Sequence, residues 1–327
     1  MASDYVICVR DVAKGKFIAE PGKTRYLELP EATWDKTPGN PLKPAQEMDR
    51  KDWFRKVMAE AVVGTNPADA TEFGDVLVFV HGYNNDQKIV MQRHRLLKAN
   101  LRSIGYEGSV VSFDWPSDDK TLNYVEDRSD AKATALALVD DAITAFVSYQ
   151  QTNCKISVHL LGHSTGAYVI REAFDDADDR KNLAAENWTA SQVMLIGGDV
   201  SSGSMSEGNA GAESIYRHSI RLTNYSNPFD SVLKLSNVKR LGLAPRVGRV
   251  GLPADAPSTA VNVDCGDLFQ TLNEKAAPPL GTFCHSWHIG NMTFIHDLLE
   301  TIYGDTDRTR IKTRVMKPDG SLSLAGV

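Results

Sequence analysis

The sequence predicts an α/β chain built on a mostly parallel sheet with helices over both faces. Three observations carry this. Apolar runs such as Val76-Leu77-Val78-Phe79-Val80 read as strands covered on both sides. They alternate with amphipathic helical segments, the pattern of βαβ units. Gly162-His163-Ser164-Thr165-Gly166 falls where one such strand passes into a helix.

Taken in order, Tyr5 to Val9 and Arg25 to Leu29 read as strands, and four prolines between Pro30 and Pro44 mark an irregular connection. A helix over Ala45 to Val62 carries Trp53, Val57, Met58 and Ala61 at helical spacing. The strand Val76 to Val80 leads to His81-Gly82 and a helix from Gln87 to Leu101. The strand Ser109 to Phe113 ends in Asp114-Trp115-Pro116-Ser117, and a long helix runs from Arg128 to Gln150 on Leu136, Val139, Ile143, Phe146 and Val147. The strand Ile156 to Leu161 and the helix Thr165 to Phe174 follow. Strands over Gln192 to Ile196, Ser219 to Thr223 and Ala260 to Val263 precede a final helix from Asn291 to Tyr303. No internal repeat or low-complexity stretch interrupts the series.

With 36 Lys+Arg against 42 Asp+Glu, a net charge of −6, the chain of 327 residues has no basic surface to attract nucleic acid. Charged residues at 24% with no long like-charge run argue against disorder. No apolar run approaches the ~18 residues of a membrane span. Met1-Ala2-Ser3-Asp4-Tyr5 does not begin a secretory signal, so a cytoplasmic location is expected. Cys8, Cys154, Cys265 and Cys284 form no C-x-x-C pair and read as reduced thiols, with a Cys265–Cys284 bridge as the one exception considered.

The Gly162 to Gly166 pattern is a nucleophile elbow if its context is a strand-to-helix turn. The serine there takes a strained conformation that exposes its oxygen, so the positions two before and two after it must be small for strand and helix to approach. A serine hydroxyl needs a histidine base, itself oriented by a carboxylate. On such a sheet these follow in the order Ser, Asp/Glu, His.

His285 and His288 both precede the last helix, in the expected loop. His296 lies off the apolar face formed by Phe294, Ile295, Leu298 and Ile302, and reads as a solvated residue. The His-x-x-His spacing beside Cys284 lacks the further thiols or carboxylates of a metal site. For the acid, Asp199 and Asp230 each follow a strand. Asp199 reads otherwise as a loop cap and Asp230 as the N-cap of a short helix over Ser231 to Leu235. Asp230 lies nearer the usual position.

These residues, with Val76 to Asn84, the Asp114 to Ser117 turn, Tyr124, Asp127-Arg128, Leu222-Thr223-Asn224-Tyr225-Ser226 and His285-Ser286-Trp287, resemble a bacterial family of α/β-hydrolases of largely uncharacterised function. The resemblance covers roughly Asp75 to Tyr303. It implies the α/β-hydrolase fold and a serine hydrolase with Ser164 as nucleophile, Asp230 as acid and His285 as base. The long segment between Asp264 and His285 departs from the family pattern and keeps His288 in play.

An oxyanion hole needs two backbone N–H groups. Thr165, after the nucleophile, and Tyr83, after His81-Gly82, are the candidates. Trp115 and Trp287 are candidates to line a substrate pocket, while His159 and His163 read as structural. The expected activity is hydrolysis of a small or medium carboxylic ester through an acyl-enzyme, with no cofactor or metal. A thioesterase, lipase or acyltransferase would use the same residues, and a non-catalytic hydrolase-fold binding protein is the alternative from another class. The spread from Ser164 to His285 over one sheet predicts a single domain over 1–327, with 1–74 as an N-terminal extension and 201–217 and 239–284 as cap or loop insertions. Oligomeric state is not determined at this level.

Overall fold

The computed structural model describes residues 3–34, 42–83, 87–117, 124–149, 154–181, 188–234 and 244–326, with residues 124–130, 147, 149 and 154 described by backbone alone. The tip of the proline-rich connection, Asn84, Gln150, Leu235 and residues 239–243 lie outside them, as do the side chains of Tyr124, Asp127, Arg128, Val147 and Cys154.

Among the described residues, eleven strands form one sheet: β1 (Ser3–Ala13), β2 (Lys16–Pro30), β3 (Val62–Thr65), β4 (Glu72–Val80), β5 (Ser109–Asp114), β6 (Cys154–His163), β7 (Ala190–Ile196), β8 (Ser219–Ser226), β9 (Ala260–Asp264), β10 (Arg314–Met316) and β11 (Leu322–Leu324). Their order is β10-β11-β9-β8-β7-β6-β4-β5-β1-β2, with β3 paired to β4. The run from β11 to β1 is parallel, and only β1/β2, β3/β4 and β10/β11 pair antiparallel.

The two-residue alternation of a strand divides the core in two. Val76, Val78 and Val80 of β4 face one side with Trp53 of α1 (Arg50–Ala61). Leu77 and Phe79 face the other with Leu96 and Leu97 of α2 (Gln87–Ser103). Further along the chain, α3 (Tyr124–Ala137) and α4 (Thr144–Tyr149) flank a π-helical turn over Leu138–Ile143, and α5 (Thr165–Asp178) and α6 (Ala210–Arg217) follow. α1, α3, α5 and α6 cover the first face, and α2 and α7 (Met292–Tyr303) cover the second. Both faces of the central strands are therefore dry, which is why their sequences read as unbroken apolar runs.

Two helices differ from expectation for identifiable reasons. The helix expected from Ala45 begins instead at Arg50, because the Asp49 side chain accepts the Lys51 and Asp52 amides as an N-cap. The single long helix is interrupted by the π turn, which presents Asp141 to β2: Thr24 Oγ1 donates to its carboxylate at 2.5 Å and the Tyr26 hydroxyl to its carbonyl at 3.0 Å. The stretch 201–217 contributes Met205, from a 3₁₀ turn over Ser202–Met205, and Ala212 and Ile215 of α6 to the core. Within 239–284, β9 is inserted between β8 and β11. The hairpin β10/β11 is held by Arg314, whose guanidinium is 2.6 Å from Asp297 of α7 and donates to Thr301 and Tyr225 as well. Cys265 and Cys284 are free thiols, so the bridge considered between them is not formed. No helix among the described residues is long and apolar enough to cross a membrane.

Candidate active site

Ser164 sits between β6 and α5 at φ 56°, ψ −122°, a conformation that costs a non-glycine residue energy and persists only when its surroundings impose it. They do so here by backbone bonds. The Ser164 amide donates to the Ile196 carbonyl at 3.0 Å, and the Ser164 carbonyl accepts the amides of Asp199 at 3.0 Å and Ala167 at 3.1 Å. A Cβ on Gly166 would collide with the Val80 carbonyl oxygen, so glycine lets α5 start against the end of β4. A Cβ on Gly82 would stand 2.6 Å from Ser164 Cβ, which brings the loop after β4 onto the serine. Thr165 opens α5, and its amide is one of those at the positive end of a helix without an intrahelical acceptor.

His285 lies in a helical turn over Phe283–Ser286, with Nδ1 2.6 Å from Asp230 Oδ2. Both side chains are buried. A carboxylate oxygen accepts, so the Nδ1 proton faces Asp230 and Nε2 is left for a partner other than Asp230. The other carboxylate oxygen, Oδ1, accepts the Leu233 amide at 3.0 Å, capping the helical turn at 231–234. Asp230 thus caps the turn with one oxygen and meets His285 with the other. The His285 ring stands 4.9 Å from that of His163 and beside Gly197, where a Cβ would lie 3.1 Å from its Cε1. Ser164, Gly197 and Asp230 follow β6, β7 and β8, so the cluster occupies the carboxyl edge of the sheet, where open α/β sheets bind ligands.

The other candidates are placed elsewhere. His288 is 1% exposed and stacks on Trp287 at 4.2 Å; neither ring nitrogen has a hydrogen-bond partner among the described residues. Burial, then the neighbouring His285 imidazole, pushes its pKa down to about 3. Asp199 faces Arg246 Nε at 3.2 Å, both buried, while its amide braces the elbow.

Trp115 was expected at a pocket; it is fully buried. Its indole N–H donates to the His81 carbonyl at 2.7 Å and its ring stacks on the imidazole at 5.4 Å. The reason is the pair Arg10–Asp114, 2.9 Å apart and buried, which draws the whole turn inward. Burial would raise the Asp114 pKa, but Arg10 and the His81 hydrogen bond outweigh it and hold the carboxyl well below its usual range. His81 Nδ1 lies 2.8 Å from the Gly82 carbonyl oxygen. In a trans peptide the C=O and the next N–H point opposite ways, so this bond directs the Tyr83 amide away from His81. Trp287 is 4% exposed; it packs near Phe269 and Phe294 and lines a cavity of about 190 Å³ with Leu272, Pro278 and Phe283. His159 is bonded to Asp75 at 2.8 Å and His296 is exposed.

A model of the family described as "Alpha/beta hydrolase of unknown function (DUF900)" matches residues 60–260, more than half of the chain. The chain belongs to this family. No curated protein matches it. Among solved structures, this α/β-hydrolase is similar to esterase B from Lactobacillus rhamnosis (11% identity, 92% of this chain and 87% of that one, TM-score 0.40). It is also similar to lipase B from Aspergillus fumigatus (13%, 87% and 65%, TM-score 0.44) and to the RedJ thioesterase from Streptomyces coelicolor (15%, 67% and 85%, TM-score 0.28).

In this α/β-hydrolase two features escaped sequence reasoning. One is a second Ser-His-Asp arrangement: Ser112 Oγ is 2.8 Å from His94 Nδ1, and His94 Nε2 is 3.5 Å from Asp4. All three are 0% exposed, whereas Ser164 is half-buried, so only the elbow serine is open to a substrate. The other is Arg93. Arg93, His94 and Arg95 are consecutive polar residues in α2, and apolar periodicity assigns such residues to solvent; all three are buried.

Proposed function

We propose that this chain is a serine-dependent carboxylic ester hydrolase acting on a small or medium ester through an acyl-enzyme. The observation that carries the reading is the buried His285–Asp230 pair at 2.6 Å, whose imidazole stands 4.9 Å from the ring of His163, the residue before the serine in the strained elbow conformation. With its Nδ1–H donating a hydrogen bond to Asp230, His285 presents Nε2 as a base. It takes the Ser164 proton as the oxygen attacks the ester carbonyl. The Thr165 and Tyr83 amides hold the oxyanion of the tetrahedral intermediate. The protonated histidine returns its proton to the leaving alcohol, an acyl-Ser164 ester remains, and water activated by the same histidine releases the acid. The net charge of −6 favours a neutral over an anionic ester.

The test is Ser164→Ala, with turnover of a chromogenic short-chain ester and labelling by a fluorophosphonate probe as readouts. Turnover and labelling are both expected to vanish while the fold persists. Retained turnover in this variant, or a wild-type protein that neither turns over nor labels, overturns the reading.

A further inference from the structure

Helix α2 buries a cation that meets no anion among the described residues. Arg93 is 4% exposed and, among the described residues, forms no ion pair. Burial lowers its pKa to about 10, so it stays charged at neutral pH. Taking an ion out of water without a counter-charge is unfavourable, so the contacts that hold it must offset its lost hydration. They are all to neutral acceptors. Nε and Nη2 donate to the Leu280 carbonyl at 3.2 and 2.5 Å, Nη2 also to Ser286 Oγ at 3.2 Å, and Nη1 to His163 Nδ1 at 3.3 Å.

These acceptors belong to just two segments. His163 immediately precedes Ser164, and Leu280 and Ser286 lie on either side of His285. A guanidinium can only donate, so His163 Nδ1 accepts and the ring proton sits on Nε2. Nε2 in turn donates to the His285 carbonyl oxygen at 3.0 Å. A chain of bonds therefore runs from Arg93 through the His163 ring to the backbone of His285. Burial, then the nearby charge of Arg93, pushes the His163 pKa well down, so this tautomer persists through the neutral range. The planar fork of arginine reaches three acceptors at once, which a lysine ammonium on its flexible stem does not reproduce.

We propose that Arg93 and His163 are positioning residues that set the separation between Ser164 and His285, by tying the segment before the nucleophile to the segment carrying the base. This rests on the serine-hydrolase reading above. Neither residue touches the substrate; each acts through the placement of the other two.

The test uses the full chain with ¹⁵N-labelled histidine and four variants: Arg93→Lys, Arg93→Met, His163→Phe, and the last two combined. Thermal melting establishes that each is folded, and Arg93→Lys keeps the charge should Arg93→Met unfold. Misplacement by about 1 Å can cost about 100-fold in rate. Arg93→Met is therefore expected to lose about 100-fold in kcat on p-nitrophenyl acetate and in fluorophosphonate labelling rate, with KM within about 3-fold, and Arg93→Lys about 10-fold. The double variant is expected to be no worse than the poorer single one, since both act along one chain. In the wild type, His163 is expected to show an unprotonated Nδ1 and a protonated Nε2 from pH 8 to pH 5. Folded variants with wild-type kcat and labelling, losses that multiply in the double variant, or the opposite tautomer overturn the proposal while the wild type still labels at Ser164. A wild type that neither labels nor turns over overturns both readings together.

Discussion

Asp230 uses its two carboxylate oxygens differently: Oδ2 faces His285 Nδ1 at 2.6 Å, and Oδ1 caps the helical turn at 231–234 through the Leu233 amide at 3.0 Å. Asp230→Asn is expected to keep much of the cap but to set an amide or a neutral oxygen against the imidazole, favouring the wrong tautomer. Loss of the carboxylate in a triad costs about 10⁴-fold in kcat. Asp199→Asn, which disturbs a contact with Arg246 instead, should show no loss of that size per folded molecule. Steady-state kinetics on both variants decide it, and the reverse ranking would transfer the acid's role to the residue after β7.

The two late histidines separate in the same assay. His285→Ala should lower kcat by at least about 10³-fold, whereas His288→Phe keeps the stacked ring against Trp287 and should retain turnover within about 3-fold. A larger loss from His288→Phe than from His285→Ala would reverse the assignment of the base.

His288 also predicts how stability depends on pH. Its folded pKa is pushed down to about 3, against 6.5 for the unreacted reference, so below pH 6.5 the unfolded chain binds a proton that the folded chain refuses. The contribution is fully present above about 6.5 and is lost as pH falls towards 3, by about 1.4 kcal/mol per pH unit. His288→Phe removes this liability and should be more stable than wild type by about 2 kcal/mol at pH 5, with little difference at pH 8. Urea melts at the two pH values measure it; an equal effect at both would show that His288 takes up its proton as readily in the folded as in the unfolded chain.

Trp115 supports the loop before Tyr83 and does not face a ligand. Trp115→Phe removes the indole bond to the His81 carbonyl and should cost about 1 kcal/mol of stability. Its kcat should fall with the acyl-chain preference unchanged, and a panel of p-nitrophenyl esters of increasing chain length reads both. A shift in chain-length preference would return Trp115 to the pocket.

The buried Ser112–His94–Asp4 arrangement is expected to be inert. Fluorophosphonate should label Ser164 alone, as read by peptide mass spectrometry, and Ser112→Ala should leave labelling unchanged. Adduct on Ser112 would mean that this interior opens to solvent.

Much of the molecule was legible in one dimension. Apolar runs and the Gly162 to Gly166 pattern sufficed for the sheet class and for Ser164, because a parallel sheet with two covered faces and a strained turn both leave local signatures. The sequence order Ser, Asp, His and the family motifs narrowed the partners to Asp199 or Asp230 and His285 or His288. That Asp230 and His285 meet is visible only in the tertiary structure, since 55 residues separate them along the chain and a 2.6 Å contact at that separation has no local pattern. The same holds for Trp115, drawn inward by an ion pair between Arg10 and Asp114, and for Arg93, a charge whose burial is determined by acceptors on β6 and the 280–286 segment. Short-range periodicity reports which face of an element is apolar; which polar groups are taken inside with it depends on partners far away in sequence.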